Sequence, residues 1–234
     1  MLKNRDIDPY KLEYDAFQKL LKGESFSIYE VVVLCFKSLL SIFEGIFRHI
    51  PGALGYKLRY YYYKLVCKRI GQNVLIDVGV ILSGTANISI DDYTWIDANC
   101  IISAMLGEVS IGKRVHMASF SIIGSREPVI IEDYVALGAS SKIYSNSEVV
   151  VPGKRMSGPM IPEEDKAFFS APVYLRKDSF VGANSVIMPG VELGIGAVVG
   201  ANSLVTKSVA AWTIVSGVPA RKLMAREKFD LPDY

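Results

Sequence analysis

Histidine, cysteine and tryptophan are scarce in this chain, and the first two scarcities exclude several kinds of site. Its 234 residues include two histidines, three cysteines and two tryptophans. The cysteines, Cys35, Cys67 and Cys100, are odd in number and widely spaced, so they form neither a disulfide framework nor a CxxC metal site. A reducing cytoplasm is therefore the expected compartment. No other cluster has metal-ligand spacing, and we expect no metal.

An excess of charge and an N-terminal apolar run are also missing. The chain carries 26 basic and 24 acidic residues, a net charge of +2 at pH 7, which argues against nucleic-acid binding through bulk electrostatics. The opening residues, MLKNRDIDPYKLEYD, are charged and lack the apolar centre of a secretory signal, so no signal peptide is expected. The length suits one large domain, alone or with an appendage.

What the sequence does contain is a six-residue repeat that is unbroken over residues 181–209. An aliphatic residue recurs every six positions, and a small or β-branched residue follows each one four places later. The first set is Val181, Ile187, Leu193, Val199 and Val205, and the second is Ser185, Val191, Ala197, Ser203 and Val209. A short fixed period predicts a coil of short parallel strands with the aliphatic residue pointing inward at every turn.

The same phrase continues towards the N-terminus as far as Ile70, with interruptions. Three short breaks, at 83–87, 104–109 and 125–128, predict insertions at corners of the coil. A longer break at 148–179 contains four prolines and fits no phrase. Because the repeat resumes in register after it, we expect an excursion loop thrown out from the coil.

The pattern resembles the hexapeptide-repeat acyltransferases, closest to the sugar and polysaccharide O-acetyltransferases, over about residues 70–223. The resemblance implies an all-β fold, a left-handed parallel β-helix, and a homotrimer. The count of two histidines argues against γ-class carbonic anhydrases, which share the coil but need three imidazoles. We expect an N-terminal helical segment (1–69), a β-helix domain (70–210) with the excursion loop at 148–179, and a C-terminal segment (211–234). Within the last, residues 221–229 predict a short helix over the final coil.

Residues 26–50 predict an amphipathic helix in which Glu30, Lys37 and Glu44 form one charged stripe. These interior charges make a transmembrane span unfavourable. The following run, LGYKLRYYYYKLVCKRI, combines tyrosines with five basic residues: Lys57, Arg59, Lys64, Lys68 and Arg69. Two interpretations stay open. One is peripheral contact with an anionic membrane at its inner face, and the other is capping of the first coil or trimer contact.

His116 is the candidate general base. It lies between Val115 and Met117, which both occupy inward positions, so strand alternation turns its imidazole outward. An exposed imidazole can accept a proton from a hydroxyl or amine near neutral pH. The family resemblance implies the same role, because a histidine is the usual base there. The alternative is a surface or intersubunit histidine without a catalytic task.

Glu148 is the second catalytic candidate. The run IYSNSE ends at Glu148, where galactoside and maltose acetyltransferases have the histidine of an IYTATH phrase. This carboxylate would serve as a base if burial raised its pKa, or would orient His116; the alternative is an ordinary loop glutamate. Glu108 is a weaker candidate for orienting the imidazole. Three neighbours of this region are candidate substrate-binding residues: Tyr144, Asn146 and Arg155, whose guanidinium suits a phosphate or carboxylate.

The closing run VTKSVAAWTIVSGVPARKL, from Val205, resembles the family's closing segment almost phrase for phrase. By that resemblance, coenzyme A lies along a coil edge between two subunits. Lys207 and Arg221 would meet its phosphates, or else are merely solvent-facing. Four small residues would expose backbone amides and carbonyls to the pantetheine arm: Gly182, Ala183, Gly200 and Ala201.

Together these features predict an acetyl-CoA-dependent acetyltransferase. Its expected acceptor is a sugar hydroxyl in surface polysaccharide, lipopolysaccharide or capsule biosynthesis, acylated by direct transfer with a general base. N-acetylation of a nucleotide-linked amino sugar is the alternative within the enzymes. A non-catalytic β-helix scaffold at the membrane is the alternative of another class.

Overall fold

The computed structural model describes residues 9–156, 158, 161–230 and 232–234. Residues 1–8 of the predicted helical segment and residues 157, 159 and 160 of the predicted excursion lie outside the described residues, as do the side chains of residues 9–15, 37, 40 and 163. Three helices come first: α1 (Pro9–Lys22), α2 (Ile28–His49) and α3 (Gly52–Val66). A capping box fixes the start of α2, since Ser27 and Glu30 satisfy each other's backbone amides.

In the described part of the chain, twenty-two strands follow the helices. The first half are β1 (Arg69–Ile70), β2 (Leu75–Ile76), β3 (Ile81–Ser83), β4 (Ile88–Ile90), β5 (Trp95–Ile96), β6 (Ile101–Ser103), β7 (Val109–Ile111), β8 (His116–Met117), β9 (Ile122–Gly124), β10 (Val129–Ile131) and β11 (Ala136–Leu137). The second half are β12 (Lys142–Tyr144), β13 (Asn146–Glu148), β14 (Phe168–Ser170), β15 (Val173–Leu175), β16 (Phe180–Val181), β17 (Val186–Ile187), β18 (Glu192–Leu193), β19 (Val198–Val199), β20 (Leu204–Val205), β21 (Thr213–Gly217) and β22 (Ala220–Ala225). Two short 3₁₀ turns lie at Thr85–Asn87 and Glu163–Asp165.

The strands form the three faces of a parallel β-helix, as the repeat predicted. Sheet A has the order β1-β4-β7-β10-β15-β18, sheet B the order β2-β5-β8-β11-β16-β19-β21-β22, and sheet C the order β20-β17-β12-β9-β6-β3. The aliphatic residues predicted to point inward are buried, for example Val181, Ile187 and Leu193 at 0% exposure. Stacking of similar coils thus builds one dry aliphatic core.

All the interruptions of the repeat lie at one corner, between sheet C and sheet A. The three short breaks separate β3 from β4, β6 from β7, and β9 from β10, so the predicted corner insertions are confirmed. The long excursion leaves at the same corner, after β12, and its ends pair as the antiparallel strands β13 and β14. Its predicted end at residue 179 is wrong, because β15 lies in sheet A between β10 and β18. Leu175 occupies the inward position six residues before Val181, although its phrase contains no glycine.

The predicted C-terminal helix at 221–229 is also wrong. Residues Ala220–Ala225 form β22, which pairs antiparallel with β21 at the edge of sheet B. The chain reverses at Gly217, whose φ of 104° is open to glycine, and the ladder then satisfies the backbone groups a helix would have used. Beyond the hairpin the chain runs back along the coil, where Arg226 Nη1 donates to the carbonyls of Asp178 and Gly196 at 3.1 and 2.9 Å.

Helix α3 caps the open first coil. Arg59 is 1% exposed; its Nε donates to the carbonyl of Ile76 at 2.8 Å, and its Nη1 donates to the carbonyls of Phe47 and Ile50 at the end of α2. The Tyr60 hydroxyl donates to the Gly71 carbonyl at 3.0 Å. Edge carbonyls that the first coil would otherwise present to solvent are thereby satisfied. The structure therefore supports the capping interpretation of this segment.

Four of the five basic residues predicted to face a membrane have partners within the chain. Arg59 is buried in the cap, the Lys64 ammonium lies 5.3 Å from the Tyr60 ring centroid, and Lys68 and Arg69 form ion pairs with Glu108 and Asp91 at 2.7 and 3.0 Å. Helix α2, in contrast, exposes many large apolar side chains: Ile28, Val31, Val32, Phe36, Leu39, Ile42, Phe43 and Ile46. None of the helices the structure describes is long and apolar enough to cross a bilayer.

Candidate active site

The outward positions of sheet B form a column along the prism. Strand register places these side chains one above the other, from the first coil to the last: Leu75, Trp95, His116, Ala136, Phe180, Val198 and Ile214. The column is apolar except at its third member. A single imidazole in an otherwise apolar surface marks this face as the candidate site.

His116 points outward from β8, as predicted, with 49% of its side chain exposed. Its Nε2 lies 3.2 Å from Oδ2 of Asp97, and its ring centroid lies 5.7 Å from that of Trp95. The carboxylate holds the ring in one orientation. One ring nitrogen is thus engaged, and the other is available to an acceptor group.

Sequence reasoning missed Asp97. It follows β5 directly, at the corner between sheets B and C, while His116 lies on the next coil. The available signal was the coil length of about 20 residues, which brings positions 19 to 21 apart into contact across adjacent coils. Asp77 occupies the equivalent position one coil earlier, since Ile76 pairs with Ile96. Asp77 therefore lies at the same corner, one coil from Asp97 and two coils from His116.

A row of small residues leads away from these carboxylates. The backbone amide of each residue that directly follows a sheet B strand donates a hydrogen bond to a carbonyl of the next coil. We call these residues the edge row: Asp77, Asp97, Ala118, Gly138, Gly182 and Gly200. From Asp97 to Gly200 the row spans four coil spacings of ~4.8 Å, about 19 Å in all. Beyond the two aspartates it presents only small side chains, so the chain surface is open along this corner.

The predicted donor residues lie at the far end of this corner, but not all as expected. The amides of Gly182 and Gly200 each donate at 2.8 Å to the carbonyls of Val199 and Val215, so they are not free for a ligand. Glycine is required at 182 for close stacking, because a Cβ there would lie 2.5 Å from the Ala201 nitrogen.

The other donor candidates are closer to their predicted environment. Ala183 is half-buried, and its carbonyl accepts from the Asn202 amide at 2.8 Å, while Ala201 is exposed. Lys207 and Arg221 are exposed near the last coil, as a phosphate contact requires. One Arg221 nitrogen donates to the Ala220 carbonyl at 3.0 Å, which leaves the rest of its guanidinium fork at the surface.

The remaining candidates lie on other elements. Tyr144 belongs to sheet C, where its ring packs over Gly124, since a Cβ on that glycine would lie 2.9 Å from the ring. Asn146 and Glu148 lie in β13, paired with Ser170 and Phe168 in the excursion hairpin. The group that orients His116 in this chain is thus Asp97. Arg155 and Glu108 lie in other parts of the fold.

Arg155 is exposed in the excursion, and its amide donates to the Asp165 carbonyl at 2.7 Å. Glu108 pairs with Lys68 instead of orienting the imidazole, because it lies at the corner between sheets C and A. Among the residues the structure describes, no group of histidine, cysteine and carboxylate side chains could hold a metal ion.

Comparison with known proteins agrees with this geometry. Residues 173–207 match the family model described as the hexapeptide repeat of succinyl-transferase. The chain is 35% identical over 161 residues to a dTDP-4-amino-4,6-dideoxy-D-glucose acyltransferase from Escherichia coli, covering 69% of this chain and 83% of that protein. It is 27% identical over 126 residues, 47% of this chain and 64% of the relative, to a putative lipopolysaccharide biosynthesis O-acetyl transferase, WbbJ, from Escherichia coli K12.

A solved structure is also similar. It is a variant of the N-acyltransferase AntD from Bacillus cereus in complex with dTDP-4-amino-4,6-dideoxyglucose and coenzyme A. The two chains are 32% identical with a TM-score of 0.68, and the match covers 73% of this chain and 89% of AntD. The repeat, the prism, the exposed imidazole on one face and these relatives agree on a single assignment. The chain belongs to the hexapeptide-repeat acyltransferases.

Proposed function

We propose that this chain transfers an acyl group, most simply acetyl, from an acyl-CoA donor to a sugar, with His116 as general base. The observation that carries the proposal is the His116–Asp97 pair, 3.2 Å apart, at one end of the edge row. A carboxylate-oriented imidazole accepts a proton from the acceptor as it attacks the thioester, and donates it as the thiol leaves. Asp97 holds the ring and balances its charge in between.

The donor would lie along the edge row, with its thioester at His116 and its phosphates at Lys207 and Arg221. An extended pantetheine arm suits a strip of small side chains about 19 Å long, because nothing protrudes from it. Ala183 and Ala201 flank the strip at its far end. The relative AntD was solved with coenzyme A, which supports a coenzyme A thioester as donor.

Transfer would be direct, without an acyl-enzyme. Burial raises the pKa of the Cys100 thiol to about 11 and that of Cys67 to about 12, so neither forms a thiolate near neutral pH. The remaining cysteine, Cys35, lies on α2, outside the β-helix. A ternary complex in which the acceptor attacks the donor is therefore the simpler mechanism.

Two acceptors are in contention, and the amine has the stronger support. Asp97 contacts His116 and Asp77 follows it at the same corner one coil further away, and a corner with two carboxylates suits an ammonium group before it loses its proton. Two relatives named above act on or bind a nucleotide-linked amino sugar. The other acceptor is a sugar hydroxyl in surface polysaccharide, lipopolysaccharide or capsule synthesis, which the similarity to WbbJ supports.

A direct comparison of acceptors tests this choice. The full chain is incubated with acetyl-CoA and either dTDP-4-amino-4,6-dideoxyglucose or a galactoside, and free thiol and product mass are followed. If only the amino sugar gives thiol release and an acetylated product, the result supports N-acylation. If only the galactoside gives them, the result supports O-acylation. Release from neither, at substrate concentrations in the millimolar range, contradicts a sugar acyltransferase of these two classes.

The same proposal includes a homotrimer with its sites between subunits. Trp95 and Phe180 are 48% and 39% exposed in the sheet B column, and a second copy of the chain would cover them. That copy would bring sheet C and its excursion hairpin, with Glu148, Tyr144, Asn146 and Arg155, towards His116. Light scattering on the purified chain measures the assembly, and a monomer at micromolar concentration would contradict it.

Membrane contact would come from α2 and not from the basic run. Ile28 and Phe36 are 85% and 61% exposed, and they belong to an apolar face of the kind found on helices that bind a membrane surface. We place the chain in the cytoplasm, at the inner face of the membrane, where lipid-linked acceptors of surface glycans would be within reach.

A further inference from the structure

Tyr93 and Arg114 lie beside the candidate site, on the side of sheet B opposite the edge row. Each precedes a member of the sheet B column by two residues, Tyr93 before Trp95 and Arg114 before His116, at the corner between sheets A and B. The Arg114 guanidinium lies 4.7 Å from the Tyr93 ring centroid, and the His116 and Trp95 ring centroids lie 5.7 Å apart. These four side chains, which we call the array, therefore form two stacked pairs on adjacent coils.

The backbone conformation at Tyr93 and Arg114 is unusual for such large residues. Their φ angles are 59° and 54°, in the left-handed region. Asn73 and Gly196 occupy the equivalent corner of two other coils, and this conformation favours those residue types. A large side chain here strains the backbone, and strain of this kind is concentrated at functional sites. The coil itself does not require large side chains at these two positions.

Large residues at the same corner of later coils have partners in the C-terminal segment. The Trp212 ring meets Phe229 edge-on, with the centroids 5.0 Å apart, and the Tyr134 hydroxyl oxygen accepts from the Tyr234 amide at 2.7 Å. Tyr93, in contrast, is 50% exposed. Packing of the C-terminal segment therefore accounts for two of the large side chains at this corner but not for the Tyr93 ring.

Arg114 meets the same segment through its Nε, which donates to the main-chain oxygen of Tyr234 at 2.9 Å. The arginine is exposed, and this contact leaves its two Nη atoms at the surface. A guanidinium held between the Tyr93 ring and the Tyr234 oxygen has a fixed direction. Such a group binds phosphate oxygens through parallel hydrogen bonds.

The spacing within the array matches one sugar linked to a phosphate. Two residues of extended chain span about 6.6 Å, so Arg114 lies about one pyranose ring away from His116. A sugar whose reacting group meets the His116 imidazole would then bring its anomeric phosphate to Arg114. Beyond the phosphate, the half-exposed Tyr93 ring offers a stacking surface for a base, as aromatic side chains do in nucleotide binding.

We propose that Arg114 binds the diphosphate and Tyr93 the base of a nucleotide-linked acceptor sugar. The inference rests on the proposed function, because it takes the reacting end of the sugar to lie at His116. It deepens that proposal by naming the acceptor class, a nucleoside diphosphate sugar. Donor and acceptor then reach His116 from opposite corners, the donor along the edge row and the acceptor over the array, as transfer in a ternary complex requires.

Calorimetric titration of the full chain with dTDP, without acyl-CoA, tests the inference independently of turnover. We expect saturable binding, and we expect Arg114→Asn to weaken it at least about tenfold, because a bidentate phosphate contact is lost. Tyr93→Asn should weaken it about fivefold or more through the loss of base stacking. Asparagine is favoured in the left-handed region, so neither variant should lower the melting temperature.

Tyr134→Asn is the matched control. Tyr134 has a φ of 60° at the same corner and contacts Tyr234, as Arg114 does, but it lies outside the array. This variant therefore removes a contact with the C-terminal segment and leaves the proposed phosphate-binding side chain in place. A dTDP affinity that Arg114→Asn leaves unchanged, or that Tyr134→Asn lowers as much, overturns the inference. Absence of dTDP binding by the parent chain at millimolar concentration overturns it too.

Inorganic pyrophosphate separates a nucleotide from other diphosphates. We expect it to bind at least about tenfold more weakly than dTDP, because it lacks the base. Pyrophosphate binding as tight as that of dTDP would overturn the nucleotide assignment in favour of another diphosphate-linked sugar, such as a lipid-linked one.

The two proposals fail in different ways. Binding of dTDP that depends on Arg114, without acyl transfer by the parent chain, would contradict the proposed function and leave the nucleotide subsite standing. Acyl transfer that depends on His116, with a dTDP affinity unchanged in Arg114→Asn, would contradict the subsite alone.

Discussion

The His116 imidazole and the Asp97 carboxylate meet across adjacent coils, with Nε2 3.2 Å from Oδ2, although 19 residues separate them in the chain. The coil brings them together, because about 20 residues complete one turn and return the chain to the same corner. The pair stands on an exposed face with Trp95 beside it.

The first prediction concerns the two members of the pair. His116→Asn should lower kcat/KM by about 10²- to 10⁴-fold, because the proton acceptor is lost. Asp97→Asn should cost about tenfold or more, since the ring keeps its nitrogens but loses its orienting charge. Steady-state kinetics measures both, and coenzyme A affinity should not change. His49→Asn is the matched control, and a similar loss there would contradict the assignment.

Donor binding should depend on the two exposed cations near the last coil. A Lys207→Glu, Arg221→Glu double variant should bind coenzyme A at least about tenfold more weakly in calorimetric titration, because two phosphate contacts become repulsive. Lys228→Glu is the control, since this lysine is also exposed but lies on the segment that runs back along the coil. Equal affinity in the double variant and the parent would place the phosphates elsewhere.

Thiol reactivity should distinguish the three cysteines. At pH 8, iodoacetamide should modify Cys35, which is exposed, and leave Cys67 and Cys100 unmodified. Burial raises the pKa of these two thiols to about 12 and 11, so both stay protonated until the pH approaches those values. Mass spectrometry of the native chain should show one adduct, which Cys35→Ser abolishes. A second adduct under native conditions would contradict direct transfer without a cysteine nucleophile.

The cap should contribute strongly to stability through Arg59. Arg59→Met keeps most of the volume but leaves the carbonyls of Phe47, Ile50 and Ile76 without their donor. We expect a loss of about 3 kcal/mol in the free energy of unfolding, because buried acceptors lose their hydrogen bonds. Urea unfolding measures it. Lys57→Met, at an exposed position of the same helix, should change the stability by less than about 0.5 kcal/mol.

Membrane contact should depend on the apolar face of α2. A Val32→Glu, Phe36→Glu double variant should no longer sediment with anionic liposomes, because two charges would enter the apolar face. Leu65→Glu, on α3 at 84% exposure, should leave sedimentation unchanged. Point variants are preferable to deleting the helix, since Phe47 in α2 and Ile50, which caps its C-terminus, provide two of the carbonyls that bind Arg59. Equal sedimentation of the parent chain, the Val32→Glu, Phe36→Glu double variant and Leu65→Glu would contradict the membrane proposal.

The sequence predicted the coil better than its edges. The inward aliphatic positions repeat because each strand of the coil buries one or two residues in the core, and that pattern can be recognised from the local sequence. Leu175 was missed because its phrase has neither glycine nor alanine, although burial requires only the aliphatic residue. The C-terminal helix was wrong because pairing of β22 with β21 outweighs the local preference of a short isolated helix.

The sequence by itself determined the repeat, the corner insertions and the outward direction of His116, because each depends on spacing along the chain, and its phrases resemble those of the family. Only the tertiary structure decided that Asp97 is the partner of that histidine, that Asp77 lies one coil from Asp97, and that Arg59 closes the first coil. These relationships depend on the number of residues per coil and on how the helices dock. Neither the coil length nor the docking of the helices can be recognised from any single residue, so these contacts exist only once the coils have stacked.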